Sequence, residues 1–131
     1  MHVRSPVADL RQDEFMTGAY GRALRTLGRN PESRAGEHIA STDMGNVSQV
    51  LPAIHPTIGY EVGDAVHHTA EFGGYGASPS ADSAVLDGAA AMALVGAELA
   101  RDPEQRARLL GCRFGGGSWC AGSGVGWGVV G

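Results

Sequence analysis

The sequence predicts an α/β fold that is incomplete on its own. Three observations point there. A helical apolar pattern runs from Asp9 to Leu27, and a clearer one follows Ser78-Pro79. Between them lies one β-like stretch, Ala53–Tyr60, with Pro52 before it and Pro56 inside it. One strand makes no sheet and two helices make a thin core, so these elements read as part of a larger domain. The length of 131 residues and the 43% hydrophobic content correspond to one small domain at most.

In the first helix Phe15, Met16, Ala19, Ala23, Leu24 and Leu27 recur at helical spacing, while Arg11, Glu14, Arg22 and Arg25 fall mostly on other faces. Asp9 is its expected N-cap and Gly28 its C′ residue. Gly18 and Gly21 each weaken it by about 1 kcal/mol against alanine. Asn30-Pro31 breaks the chain into a polar loop. Ser41 to Gln49 is polar and turn-rich, and Ser41, Thr42 or Asp43 could cap a short helix there. The prolines place the Ala53–Tyr60 strand at a sheet edge. Glu61 to Gly76 reads as loop and contains His67-His68-Thr69-Ala70-Glu71-Phe72. In the last long helix Ser78 is the N-cap and Pro79 fits N1. Val85, Ala89, Met92, Gly96 and Leu99 form its apolar stripe, widened by Leu86 and Ala93, and small residues (Ala84, Gly88, Ala91, Ala97) fill much of the rest. Asp102-Pro103-Glu104 ends it and starts a short polar helix to about Leu110.

Composition changes abruptly near residue 110. Nine of the 21 glycines, both cysteines (Cys112, Cys120) and both tryptophans (Trp119, Trp127) lie in residues 111–131. This tail has neither helical nor strand periodicity, and Gly115-Gly116-Gly117 is entropically expensive to order. Three readings stay open: a disordered low-complexity tail, a loop closed by a Cys112–Cys120 disulfide, or sequence that is not natural coding sequence, such as GC-rich codons read out of frame.

A net charge of −4 gives no electrostatic support to a nucleic-acid or anionic-membrane partner. No run of 18 apolar residues is present and Met1-His2-Val3-Arg4-Ser5-Pro6 lacks a signal-peptide core, so the expectation is a cytoplasmic protein without a transmembrane helix. No nucleophile elbow or phosphate loop occurs. Of the five histidines, His67-His68 sits in a loop between expected strand and helix, where sites are commonly built. Adjacent histidines in an extended segment point to opposite sides, so one of the pair would face a given metal. The hydroxyl-rich Ser41-Thr42-Asp43 turn reads equally as a capped turn or as an anion-binding helix start.

The order of four motifs carries a resemblance: Ser41-Thr42-Asp43-Met44-Gly45-Asn46-Val47-Ser48, then Pro52-Ala53-Ile54-His55-Pro56, then His68-Thr69-Ala70-Glu71-Phe72, then the alanine-rich helix from Asp82 to Ala100. Over about residues 10–108 the chain resembles the C-terminal part of the di-zinc amidohydrolases and peptidases of family M-twenty, relatives of aminoacylase, carboxypeptidase G and aminobenzoyl-glutamate hydrolase. The resemblance implies a C-terminal fragment of a zinc-dependent exopeptidase-like catalytic domain. The family cleaves amide bonds of N-acyl amino acids or dipeptides with a water activated between two zinc ions, and a glutamate serves as base. It carries an inserted lid domain through which homo-oligomers form. His68 matches the family's last metal ligand. Ser41, Thr42 and Asp43 match a turn that lines the site and contacts the substrate's carboxylate, and His55 matches a histidine with a substrate or structural role. The other ligands, the base and the lid are missing, so the chain is expected to be inactive alone. The rival expectations are a non-catalytic module docking on a full-length paralogue through its apolar helix faces, or a non-functional remnant.

Overall fold

The computed structural model describes residues 8–35, 43–111 and 127–130. Their order is α1 (Glu14–Thr26), β1 (Glu32–Ala35), α2 (Met44–Ser48), α3 (Ala70–Tyr75), α4 (Pro79–Arg101), α5 (Pro103–Gly111) and β2 (Trp127–Val130). The architecture is predominantly helical. β1 and β2 pair antiparallel, Glu32 opposite Val130 and Ala35 opposite Trp127. This four-residue ribbon is the only sheet among the described residues, and it is not the layered sheet of an α/β domain. The glycine-rich tail therefore contributes one short strand, where no periodicity announced it; both cysteines and Trp119 lie outside the described residues.

The segment 53–60, expected as a strand, is extended but unpaired as a strand. Ala53 O accepts from Asp13 N at 2.9 Å, and Ile54 and Ile58 pack onto the core. Pro52 and Pro56 lack the N–H groups that a ladder needs, and among the described residues no neighbouring strand pairs with the rest. The segment is held by side-chain burial against helices instead.

α1 starts later than the apolar pattern implies. Asp13, not Asp9, is its N-cap, and the Asp13 carboxylate accepts from Met16 N at 3.0 Å. Residues 8–11 are diverted across α2: Ala8 N donates to Asn46 Oδ1 and Arg11 N to Ser48 Oγ, both at 2.9 Å. At the other end Gly28 takes φ +83° as the C′ residue. Ser78 caps α4 as expected, with Pro79 at N1. Asp102 then accepts from Glu104 N and Gln105 N and starts α5.

The core is the contact of α1 with α4. It contains Met16, Ala19, Tyr20, Ala23 and Leu24 from α1 and Ala91 and Val95 from α4, with Leu27, Ile54, Ile58, Leu99 and Leu109 packed around them. Here the structure reverses the expected face of α4. Its small residues Ala81, Ala84 and Ala91 are buried with Val95, because alanines on both helices allow close approach. Of the expected stripe Leu99 packs against the core, but its larger residues toward the start of the helix face out: Val85 and Leu86 are each 70% exposed and Met92 nearly half, as is Leu94 beside it. α4 is long and apolar enough, by length and composition, to cross a membrane, although no run of purely apolar residues suggested it, and little of it is covered. A helix apolar on both faces normally has a second partner layer.

Charge pairs staple this thin core. Arg29 donates to Asp87 at 2.7 Å and to Gly59 O at 2.9 Å, tying the end of α1 to α4 and to the extended segment. Arg108 of α5 clasps Asp13. Arg22 pairs with Glu98 on the open surface, where such a pair contributes little.

Tyr20, 2% exposed, has its phenol pKa raised by burial, with the nearby Arg29 guanidinium pulling weakly the other way. Below the ordinary tyrosine value of about 10 both folded and unfolded chains keep the proton, so the contribution is full there. Above it the unfolded chain ionises first and stability falls until the folded phenol also ionises. Denaturant unfolding between pH 9 and 11 (roughly spanning that ordinary value) should show this alkaline loss, and Tyr20→Phe should flatten it; an unchanged limb in Tyr20→Phe contradicts the assignment.

Candidate functional site

The loop between the extended segment and α4 carries the strongest site residue. It is pinned at its start by Glu61 N donating to Ser80 Oγ at 2.9 Å, which joins it to the first turn of α4. Gly63 takes φ +54° beneath the Tyr75 hydroxyl; a Cβ there would lie 3.1 Å from that oxygen. Thr69 then organises the turn. Its hydroxyl donates to Val66 O at 2.7 Å and accepts from Phe72 N at 3.2 Å, capping α3.

Between these anchors stand the two histidines, and they differ. The His67 ring lies against Phe72, ring centres 4.5 Å apart, and Phe72 in turn meets Tyr60 at 5.9 Å. His68 is exposed and takes φ +68°, the one positive φ at a non-glycine residue among the described residues. A side chain in this region costs backbone energy and persists where its surroundings hold it. The loop is thus a turn at His68 and not the extended segment expected. The two histidines are distinguished by the tilted ring contact of His67 with Phe72, not by strand alternation. No hydrogen bond or ion pair engages the His68 imidazole among the described residues.

Asp43 precedes α2 as its N-cap residue, exposed, with its side chain making no cap hydrogen bond. Ser41 and Thr42 lie outside the described residues. α2 is fastened to the body through Ser48, which is fully buried and whose hydroxyl donates to Gly45 O at 2.7 Å while accepting from Arg11 N. Gln49 adds a bond to Asp9 O. His55 is exposed, and its backbone N donates to Gln12 Oε1 at 3.0 Å. Asp43 and His55 therefore flank the same stretch, residues 8–13, through α2 and the extended segment. No hydrogen bond or ion pair joins either to His68.

The close crossing at α2 explains a glycine that helix propensity would not choose. A Cβ on Gly45 would sit 1.9 Å from Ala8 O. Gly45→Ala gains helix propensity of about 1 kcal/mol but forces the 8–11 segment away from Asn46 and Ser48, an overpacking cost of about 1–3 kcal/mol. Net destabilisation is expected in urea unfolding; a stabilised Gly45→Ala protein contradicts this crossing.

A zinc site needs three or four donors at about 2.0–2.3 Å. Among the described residues no three His, Cys, Asp or Glu side chains come together. The His68 imidazole makes no hydrogen bond in its turn, and no group of three donors forms around it among the described residues. The sequence signal for His68 was the motif; the Tyr60–Phe72–His67 stack beside it had no sequence signal, because it joins residues from a loop, a helix and an extended segment. Compared with family models, curated proteins and solved structures, the chain matches none.

Proposed function

We propose that this chain is the C-terminal part of a zinc-dependent amidohydrolase or peptidase of the M-twenty type, cleaving amide bonds of N-acyl amino acids or dipeptides when the rest of the catalytic domain is present. The observation that carries the reading is the order of the four motifs from Ser41 to Ala100. Two structural features support it. The one motif histidine proposed as ligand, His68, is exposed and without a competing hydrogen bond in its turn. α4 leaves Val85, Leu86 and Met92 uncovered, as befits a helix with a further layer, such as the sheet of an α/β domain. In this reading His68 offers a neutral imidazole nitrogen to one zinc, Ser41, Thr42 and Asp43 form the turn facing the substrate carboxylate, and His55 lies at its edge. Homo-oligomer formation belongs to a lid domain outside these residues, and the setting is cytoplasmic.

The same uncovered α4 stripe favours a second reading, a non-catalytic module that docks on a full-length paralogue. Turnover separates the two. The 131-residue chain by itself should show no zinc-dependent hydrolysis of N-acyl amino acids, since its described residues bring no three potential ligands together and the motif resemblance supplies His68 alone as a ligand. A chimera joining residues 10–108 to the N-terminal part of an M-twenty enzyme should hydrolyse them. In that chimera Thr42→Val should raise KM for substrates bearing a free carboxylate and leave zinc content intact. A folded chimera that takes up zinc and stays inactive favours the docking module; turnover by the chain alone contradicts both readings.

A further inference from the structure

We infer that His67 is a positioning residue: its stacking on Phe72 holds the turn in which His68 is presented. This rests on the reading of His68 as the functional imidazole of the loop, and it deepens that reading by assigning its neighbour a different task. Three observations join here. The rings of His67 and Phe72 are in contact at 4.5 Å, and Tyr60 backs Phe72 at 5.9 Å. The residue immediately after His67 holds φ +68°, a conformation a free chain leaves because the Cβ crowds its own backbone. Thr69, the next residue, donates to Val66 O across the turn and accepts from Phe72 N, so its hydroxyl ties the residue before the histidines to the start of α3. With the Thr69 bridge closed over the turn and the His67 ring set on Phe72, rotation of the His68 backbone to negative φ must open the bridge or lift His67 from Phe72. The ring contact is therefore a second brace of the left-handed turn beside the Thr69 bridge, and Phe72 serves both as its platform and as a residue of the capped first turn of α3.

The test uses the isotope-labelled chain in solution, without metal. A strong cross-peak between the amide and α protons of His68 itself reports positive φ. It should be present in the wild type and in His67→Phe, which keeps a ring on Phe72. It should weaken severalfold in His67→Ala and in Phe72→Ala, while the signals of α1 and α4 stay in place and show that the fold is intact. Persistence of the strong cross-peak in either alanine variant overturns the proposal, as does its loss in His67→Phe. Because no metal or substrate enters, this outcome is independent of whether His68 proves to be a ligand.

Discussion

Replacing Arg108 with methionine should lower the stability of the chain by about 3 kcal/mol, the lower end of the range for breaking a buried ion pair by removing one partner. Asp13 is 5% exposed, and its carboxylate accepts from Arg108 at 2.5 and 3.2 Å as well as from Met16 N at 3.0 Å. The fork of two guanidinium N–H groups satisfies the oxygens that the cap leaves open. Methionine keeps most of the stem's packing and removes the guanidinium, with its charge and its N–H donors to Asp13 and Gln105, so the carboxylate stays behind with the Met16 N donor. Arg108 is 22% exposed on its side chain, so water reaches the site and the cost stays at the low end. Asp13→Ala should cost less, about 1–2 kcal/mol: it deletes the cap but also the buried charge, and the arginine left over can turn to solvent. Urea unfolding of the two variants fixes the order. A larger loss for Asp13→Ala would mean that the cap, not the unpaired carboxylate, dominates. For a chain whose core is one helix pair and a packed segment, a change of this size is a large fraction of the whole.

Elements whose signals are local were legible in the sequence. Ser78-Pro79 specified the start of α4 and Gly28 the end of α1, because a cap depends on a few neighbouring residues. Features that depend on what lies opposite were not. The apolar stripe of α4 pointed to Val85, Ala89 and Met92 as the core face, yet the alanine face won because α1 presents Ala19 and Ala23 to it. Periodicity counts apolar residues and cannot say which face a partner will cover. The Ala53–Tyr60 strand failed for a related reason: β structure needs a neighbour, and the residues beside it are helical. The Arg108–Asp13 clasp spans 95 positions in the chain, and no spacing rule reaches so far. At the candidate site the motif singled out His68, but the reason offered, alternation in an extended segment, gave way to a left-handed turn braced by an aromatic stack. The elements that carry Asp43 and His55 both fasten to the 8–13 segment, whose crossing of α2 no local pattern foretold.

His68 is proposed as the chain's contribution to a zinc site completed by the rest of a catalytic domain. The chimera with an M-twenty N-terminal part, loaded with zinc and freed of excess metal, tests it by metal content. The unaltered chimera and its His67→Ala variant should each retain two zinc ions per chain. His67→Ala should be mild in turnover, because it relaxes the turn without removing a donor. His68→Ala should retain one ion and lose turnover. Loss of a ligand leaves the remaining coordination too weak to keep the metal through washing, and an under-coordinated ion acidifies its water less. Two zinc ions and full turnover in His68→Ala would contradict the account, and loss confined to His67→Ala would move the ligand to its neighbour.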